Sequence, residues 1–144
     1  MKSGRVIQCQ QGDETWFFER TGRVTASRVA DVVSKRSNGK YTAARETYKL
    51  ELLTEILTGR AAEHYVSLAM DWGVEQEPLA RAEYELATNV EVERVGLVIH
   101  PSIDRAAASP DGFVGTDGLA EFKCPTTSTH LRYLIEEKIP DDYV

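Results

Sequence analysis

Cysteine is scarce in this chain: 144 residues contain two, Cys9 and Cys124, with no CxxC spacing between them. Cysteine-based zinc sites and a disulfide-stapled scaffold are thereby excluded, and two reduced thiols in a cytoplasm are expected. Long apolar runs are missing too. Val95-Gly96-Leu97-Val98-Ile99 leads straight into His100-Pro101, far short of the about 20 residues a membrane helix needs. Met1-Lys2-Ser3-Gly4-Arg5 is followed by no apolar stretch of signal-peptide type, so neither a secretory leader nor a membrane partner is expected. No internal repeat, low-complexity tract or Pro/Gly/Ser linker divides the chain. One domain over residues 1–144 is the expectation, and chains of this length bury about 70% of their unfolded surface.

Positive charge is also in deficit, with 17 Lys/Arg against 23 Asp/Glu and a net charge of −6. Taken as a total, this argues against a nucleic-acid partner. Its distribution is uneven, however. Residues 1–60 hold 11 Lys/Arg against 7 Asp/Glu, whereas residues 61–144 hold 6 against 16. A basic first part and an acidic second part suit a phosphate-gripping region beside a carboxylate metal site. Chance imbalance between solvated faces gives the same numbers.

Periodicity supplies the elements. Asp13 to Glu19 reads as a short helix carrying Trp16, Phe17 and Phe18, ended by Gly22, with Trp16 packing it onto the core. Thr25 to Ser34 reads as a second helix through Val29, Val32 and Val33. Ser34 to Tyr41, with Lys35, Arg36 and Lys40, reads as a basic loop. Thr42 to Thr58 is the clearest helix, with Tyr48, Leu52 and Ile56 on one face and Gly59 placed to stop it. Ser67 to Thr88 is helical with a kink or restart expected at Pro78, and Trp72 is expected in the core. Alternation then predicts strand from Val90 through Ile99. Arg105 to Gly115 and Leu119 to Cys124 follow as two strands around a Gly115-Thr116-Asp117-Gly118 turn. Thr126 to Lys138 returns to helix, and a turn at Pro140 precedes Asp141-Asp142-Tyr143-Val144. Helices, a strand meander and a final helix make an α+β or mixed α/β domain.

Within that frame the hairpin near Thr116 would bring Asp111 opposite Glu121, or one step from it. Glu121 and Lys123, two apart on a strand, would share a face. Converging carboxylates repel unless a hard cation takes their oxygens, and Mg²⁺ needs only one or two carboxylates. Lys123 could orient a water for attack on phosphorus. A surface salt bridge across the hairpin fits the same spacing. By their residue types alone, Thr25 and Ser27 read as helix N-caps and Arg20 as a surface residue. His64, His100 and His130 carry no assigned chemistry, and Cys124 reads as a small buried residue.

Four motifs occur in order. They are Trp16 with Arg20-Thr21-Gly22 and Thr25-Ala26-Ser27; Trp72-Gly73-Val74-Glu75-Gln76-Glu77; Ser109-Pro110-Asp111-Gly112; and Glu121-Phe122-Lys123-Cys124-Pro125. This set resembles the phage lambda exonuclease or YqaJ-type viral recombinase family of PD-(D/E)xK nucleases, over essentially the whole chain from Gln11. The resemblance implies a restriction-endonuclease-like core, with a helical N-terminal half and then a central mixed β-sheet flanked by helices. Asp111 and Glu121 would be metal-binding carboxylates, the Phe122 backbone carbonyl a further ligand, and Lys123 the residue positioning water. Glu77, favoured over Glu75 by the motif's register, would support the metal from its helix. Arg20, Thr25, Ser27 and Ser109 would hold the terminal or neighbouring phosphate.

Implied with these roles is a Mg²⁺-dependent exonuclease, with Mn²⁺ able to substitute, acting on double-stranded DNA ends in phage-type recombination. It would run 5′→3′ and release 5′-mononucleotides, as a ring-shaped homotrimer with a single-strand annealing protein as partner in a bacterial cytoplasm. An endonuclease or repair nuclease with the same site, and a DNA-end-binding module that does not cut, are the alternatives. The family's further helix with a Gln and Tyr motif, and the strands beyond it, would lie after Val144, so the domain is expected to lack its C-terminal elements.

Overall fold

Aspartate at position 13 shows how directly side chains start the helices of this protein. In the computed structural model, which describes residues 4–62, 68–138 and 140, its carboxylate accepts the backbone N–H of Trp16 at 2.7 Å and caps α1 (Glu14–Arg20). Thr42 does the same for α3 (Ala43–Thr58) through the N–H of Arg45, and Gly59 follows in the left-handed region. Both helices match the expected bounds to within a residue. The expected helix from Thr25 to Ser34 is instead composite. Val24–Thr25 is a strand, β2; Ala26–Arg28 is a 3-10 turn; and only Val29–Val33 is α-helical, as α2. Pairing of β2 with a distant strand outweighs the local helical spacing.

The chain forms two compact units, residues 1–64 with 92–121, and residues 65–91 with 122–144. The first holds every strand found among the described residues. Its four-stranded mixed sheet has the order β1-β4-β5-β2, where β1 is Arg5–Ile7, β4 is Leu97–Ile99 and β5 is Ala106–Ala108. β2 lies parallel to β5, with Thr25 opposite Ala107, and the other pairings are antiparallel. A three-stranded antiparallel sheet has the order β3-β6-β7, formed by Val92–Glu93, Gly112–Val114 and Gly118–Ala120. The stretch read as one strand from Val90 to Ile99 is therefore split between two sheets.

Leu97, fully buried, forms the centre of the core with Ile99 and Ala107, and Ile7, Cys9 and Trp16 pack against it. Trp16 thus holds α1 on the sheet as expected. Burial, then the nearby acids Asp13 and Glu19, pushes the Cys9 thiol up from its usual range, which suits a packing role.

The second unit holds α4 (Leu68–Thr88) and α5 (Thr127–Glu136). Pro78 does not restart the helix, one of the two outcomes expected there: α4 runs through it as one element. Proline removes a single donor, and at an exposed position water can satisfy the acceptor left over. Trp72 is 37% exposed rather than core, and its indole N–H donates to the Pro125 carbonyl at 3.1 Å. Tyr84 meets Phe122 edge to face at 5.8 Å. The expected helix start at Ser67, the C-terminal Asp141–Val144 and His64 lie outside the described residues. Among the described residues, no helix is long and apolar enough to cross a membrane.

Candidate active site

The β6–β7 hairpin presents the acidic pair. Gly112 pairs with Ala120, the last pair of the ladder, and one further step of the same register would set Asp111 against Glu121. The Asp111 N–H donates to the Ala120 carbonyl at 3.1 Å, so the ladder loses its regular spacing where the carboxylates begin. Gly112 permits close packing, since a Cβ there would collide with Val92. Pro110 is buried, and its carbonyl accepts the Gln11 side-chain amide at 2.9 Å, while the same amide reaches the Val95 carbonyl. Asp111 is thus half-buried at the end of a well-anchored strand, and Glu121 is exposed.

The expected strand to Cys124 stops at Ala120. One pair further on, Phe122 would face Pro110, which has no N–H to extend the ladder. Glu121 and Lys123 therefore do not share a strand face by strand geometry. Asp111 and Glu121 belong to the first unit; Glu77, Phe122 and Lys123 belong to the second. Among the described residues no three His, Cys, Asp or Glu side chains form a metal cluster. Two hard carboxylates, one just beyond each paired end of the hairpin, with waters and phosphate oxygens completing the shell, nevertheless suit Mg²⁺.

Glu77 is engaged within its own helix. Its Oε1 lies 3.0 Å from Nη2 of Arg81, one turn on. Arg81 is 8% exposed, and its Nε has no hydrogen-bond partner among the described residues. This buried guanidinium was missed in the sequence, although its i,i+4 spacing from Glu77 is a readable signal. Removing Glu77 would take the carboxylate from beside Nη2 of this buried cation. Glu77→Ala is expected to lower stability by about 2 kcal/mol, less than for a fully buried pair because Glu77 is partly exposed. Urea unfolding checks this, and Glu77→Ala with Arg81→Met should recover most of the loss.

The phosphate-binding candidates gather in the first unit. Ser109 Oγ accepts from Trp16 Nε1 at 2.9 Å and from Arg20 Nη1 at 3.1 Å, and the Arg20 guanidinium lies 4.0 Å from the centre of the Trp16 ring. Trp16 therefore orients both polar residues besides packing the core, a role its i,i+4 relation to Arg20 on α1 could have indicated. Burial pulls Arg20 below its ordinary range, opposed by Tyr48 and Glu55. A desolvated guanidinium held by a neutral hydroxyl keeps donors for an anion.

Thr25 is buried, and its Oγ1 lies 3.3 Å from Ser27 Oγ. Neither side chain caps a helix: Thr25 starts the 3-10 turn without a side-chain cap bond. Its backbone N–H is instead taken by Tyr48. The helix dipole expected to favour an anion here is correspondingly slight, because α2 spans five residues.

The model of the YqaJ-like viral recombinase domain matches residues 15–144. The chain belongs to the YqaJ-like viral recombinase family. Among solved structures, an alkaline exonuclease from Laribacter hongkongensis is 45% identical with a TM-score of 0.77, over 91% of this chain and 63% of that one. The crystal structure of the same exonuclease in complex with dAMP gives the same values. This family member thus spans under two thirds of the exonuclease it matches. A search of curated proteins finds no match. At this identity the fold is the PD-(D/E)xK core, a helical N-terminal region followed by a mixed sheet with helices; β1 and β2, both strands of that sheet, were not expected from the sequence.

Proposed function

We propose that this YqaJ-family chain is the catalytic part of a divalent-metal-dependent exonuclease that degrades duplex DNA from its ends, 5′→3′, releasing 5′-mononucleotides. The single observation that carries this reading is the β6–β7 ladder, whose last pair, Gly112 with Ala120, leaves Asp111 and Glu121 as the next residue on each side. Family membership and likeness to an alkaline exonuclease support it. Asp111, Glu121, the Phe122 carbonyl and, from α4, Glu77 would hold Mg²⁺, or Mn²⁺ in its place. The metal would supply charge neutralisation at the scissile phosphate and a more acidic water. Lys123 orients the attacking water through its ammonium group. Arg20 and Ser109, with Thr25 and Ser27, grip the 5′-terminal phosphate and set the end in place. A ring-shaped homotrimer enclosing the duplex, a single-strand annealing partner and a bacterial cytoplasm complete the reading.

Linear and covalently closed circular duplex, each incubated with and without Mg²⁺, test it. Loss of linear DNA only, and only with metal, is expected; cutting of the closed circle would make the chain an endonuclease. Arg20→Ala is expected to reduce the preference for a 5′-phosphorylated over a 5′-hydroxyl end by roughly 10- to 100-fold, the scale of a lost charge-assisted hydrogen bond. The ratio of kcat/KM on the two substrates reads this directly.

A further inference from the structure

We propose that Tyr48 and Glu55 of α3 are positioning residues that shape the phosphate-gripping segment from Arg20 to Ser27. This rests on the assignment of Arg20, Thr25 and Ser27 to the 5′-phosphate. The two residues are seven apart, two helical turns, and so lie on neighbouring lines of one helix face about 10 Å from each other along the axis. Gly22 and Thr25, three residues apart, span at most about the same distance. Each end of this short segment is fixed to one of the two side chains.

At the first end, the Glu55 carboxylate accepts the Gly22 N–H at 2.7 Å through Oε2 and the Ala62 N–H at 2.9 Å through Oε1. Gly22 sits at φ +69, and a Cβ there would lie 2.7 Å from the Ile56 side chain. The turn that ends α1, two residues after Arg20, is therefore pressed against α3 at a point only glycine occupies without strain. At the second end, the Tyr48 hydroxyl accepts the Thr25 N–H at 3.3 Å and is 3.5 Å from the Arg23 carbonyl. Tyr48 is buried, with the Arg28 guanidinium over its ring at 4.1 Å, and Arg28 is itself held by Asp31 and Glu51.

Neither side chain belongs to the core cluster built on Leu97. A plain packing helix would present apolar atoms to this segment. Here α3 instead offers two acceptors to backbone N–H groups that strand pairing and helix bonds leave over. A carboxylate taking two main-chain donors fixes the chain more strongly than a neutral group does. The geometry of Arg20 and Thr25 is thus set from behind by α3, and a change in Tyr48 or Glu55 should be felt as a loss of discrimination at the phosphate.

The test compares binding of duplexes with one 5′-phosphorylated or one 5′-hydroxyl end by the full chain in EDTA, read by fluorescence anisotropy. Tyr48→Phe keeps the ring under Arg28 and removes only the hydroxyl. Glu55→Gln leaves one acceptor for two donors. Each is expected to reduce the Kd ratio between the two ends by about 5-fold, the scale of one lost hydrogen bond, with affinity for the hydroxyl end unchanged. An unchanged ratio, or equal weakening for both ends, would overturn the proposal, since a purely structural role affects both alike. Thermal melting within a few degrees of the parent is expected for Tyr48→Phe, which keeps the test valid should Glu55→Gln fold poorly. Arg20→Ala separates the two levels. If it removes discrimination while Tyr48→Phe does not, the positioning role fails alone; if Arg20→Ala itself retains discrimination, the phosphate assignment falls and the positioning role with it.

Discussion

Asp111→Asn is expected to reduce Mg²⁺-dependent degradation of linear duplex DNA by roughly 10²- to 10³-fold, the scale seen when one preorganised electrostatic partner is removed from an active site. Asparagine keeps the shape of the side chain, and the Asp111 N–H keeps its bond to Ala120. The hairpin and the core around Leu97 should therefore survive, with urea unfolding unchanged. What is lost is a negative oxygen just beyond the last pair of the β6–β7 ladder. Glu121→Gln should behave alike, and the double variant should lose little more than either single one, because the two carboxylates act as one unit. Full Mg²⁺-dependent activity in either single variant would remove these residues from the ligand set.

Lys123→Ala should lower kcat by roughly 10²- to 10⁴-fold, the range for loss of a group that handles the proton or water of the reaction. Its signature differs from that of the carboxylates: the concentration of Mg²⁺ giving half-maximal rate should stay near that of the parent. Single-turnover cleavage over a range of Mg²⁺ concentrations distinguishes the two. Lys123 is exposed, so a stability cost of no more than about 1 kcal/mol is expected. A rate for Lys123→Ala equal to the parent's would exclude it from the chemistry.

Much of this arrangement was legible in the residues, for reasons that can be named. Helices α1 and α3 were readable because Asp13, Thr42 and Gly59 act locally, through caps that need no distant partner. The hairpin turn was readable from Gly115-Thr116-Asp117-Gly118, and with it the pairing of Gly112 with Ala120 beside the two carboxylates. Short strands whose pairing is non-local were not. β2 is two residues long and exists because Val24 and Thr25 pair in parallel with Ala106 and Ala107, some eighty positions away. The end of β7 was misplaced because it depends on Pro110 in the opposite strand.

The site showed the same division. Asp111, Glu121, Lys123 and Glu77 stand out as a pattern of chemistry-bearing residues. The groups that hold the site residues in place, Arg81 behind Glu77 and Trp16 beside Ser109, look in the sequence like an ordinary surface cation and a core aromatic. Only the folded chain distinguishes them, by burial for Arg81 and by an indole N–H aimed at a serine for Trp16. Ser109 likewise gains meaning from Arg20, which lies 89 residues away in sequence.

The central claim is that Asp111 and Glu121 form one divalent-cation site, and calorimetric titration with Mn²⁺ tests it without reliance on turnover. The parent chain and Lys123→Ala should both bind Mn²⁺, whereas Asp111→Asn and Glu121→Gln, folded to the same degree, should lose that binding. Equal Mn²⁺ affinity in the parent, Asp111→Asn and Glu121→Gln would contradict the claim.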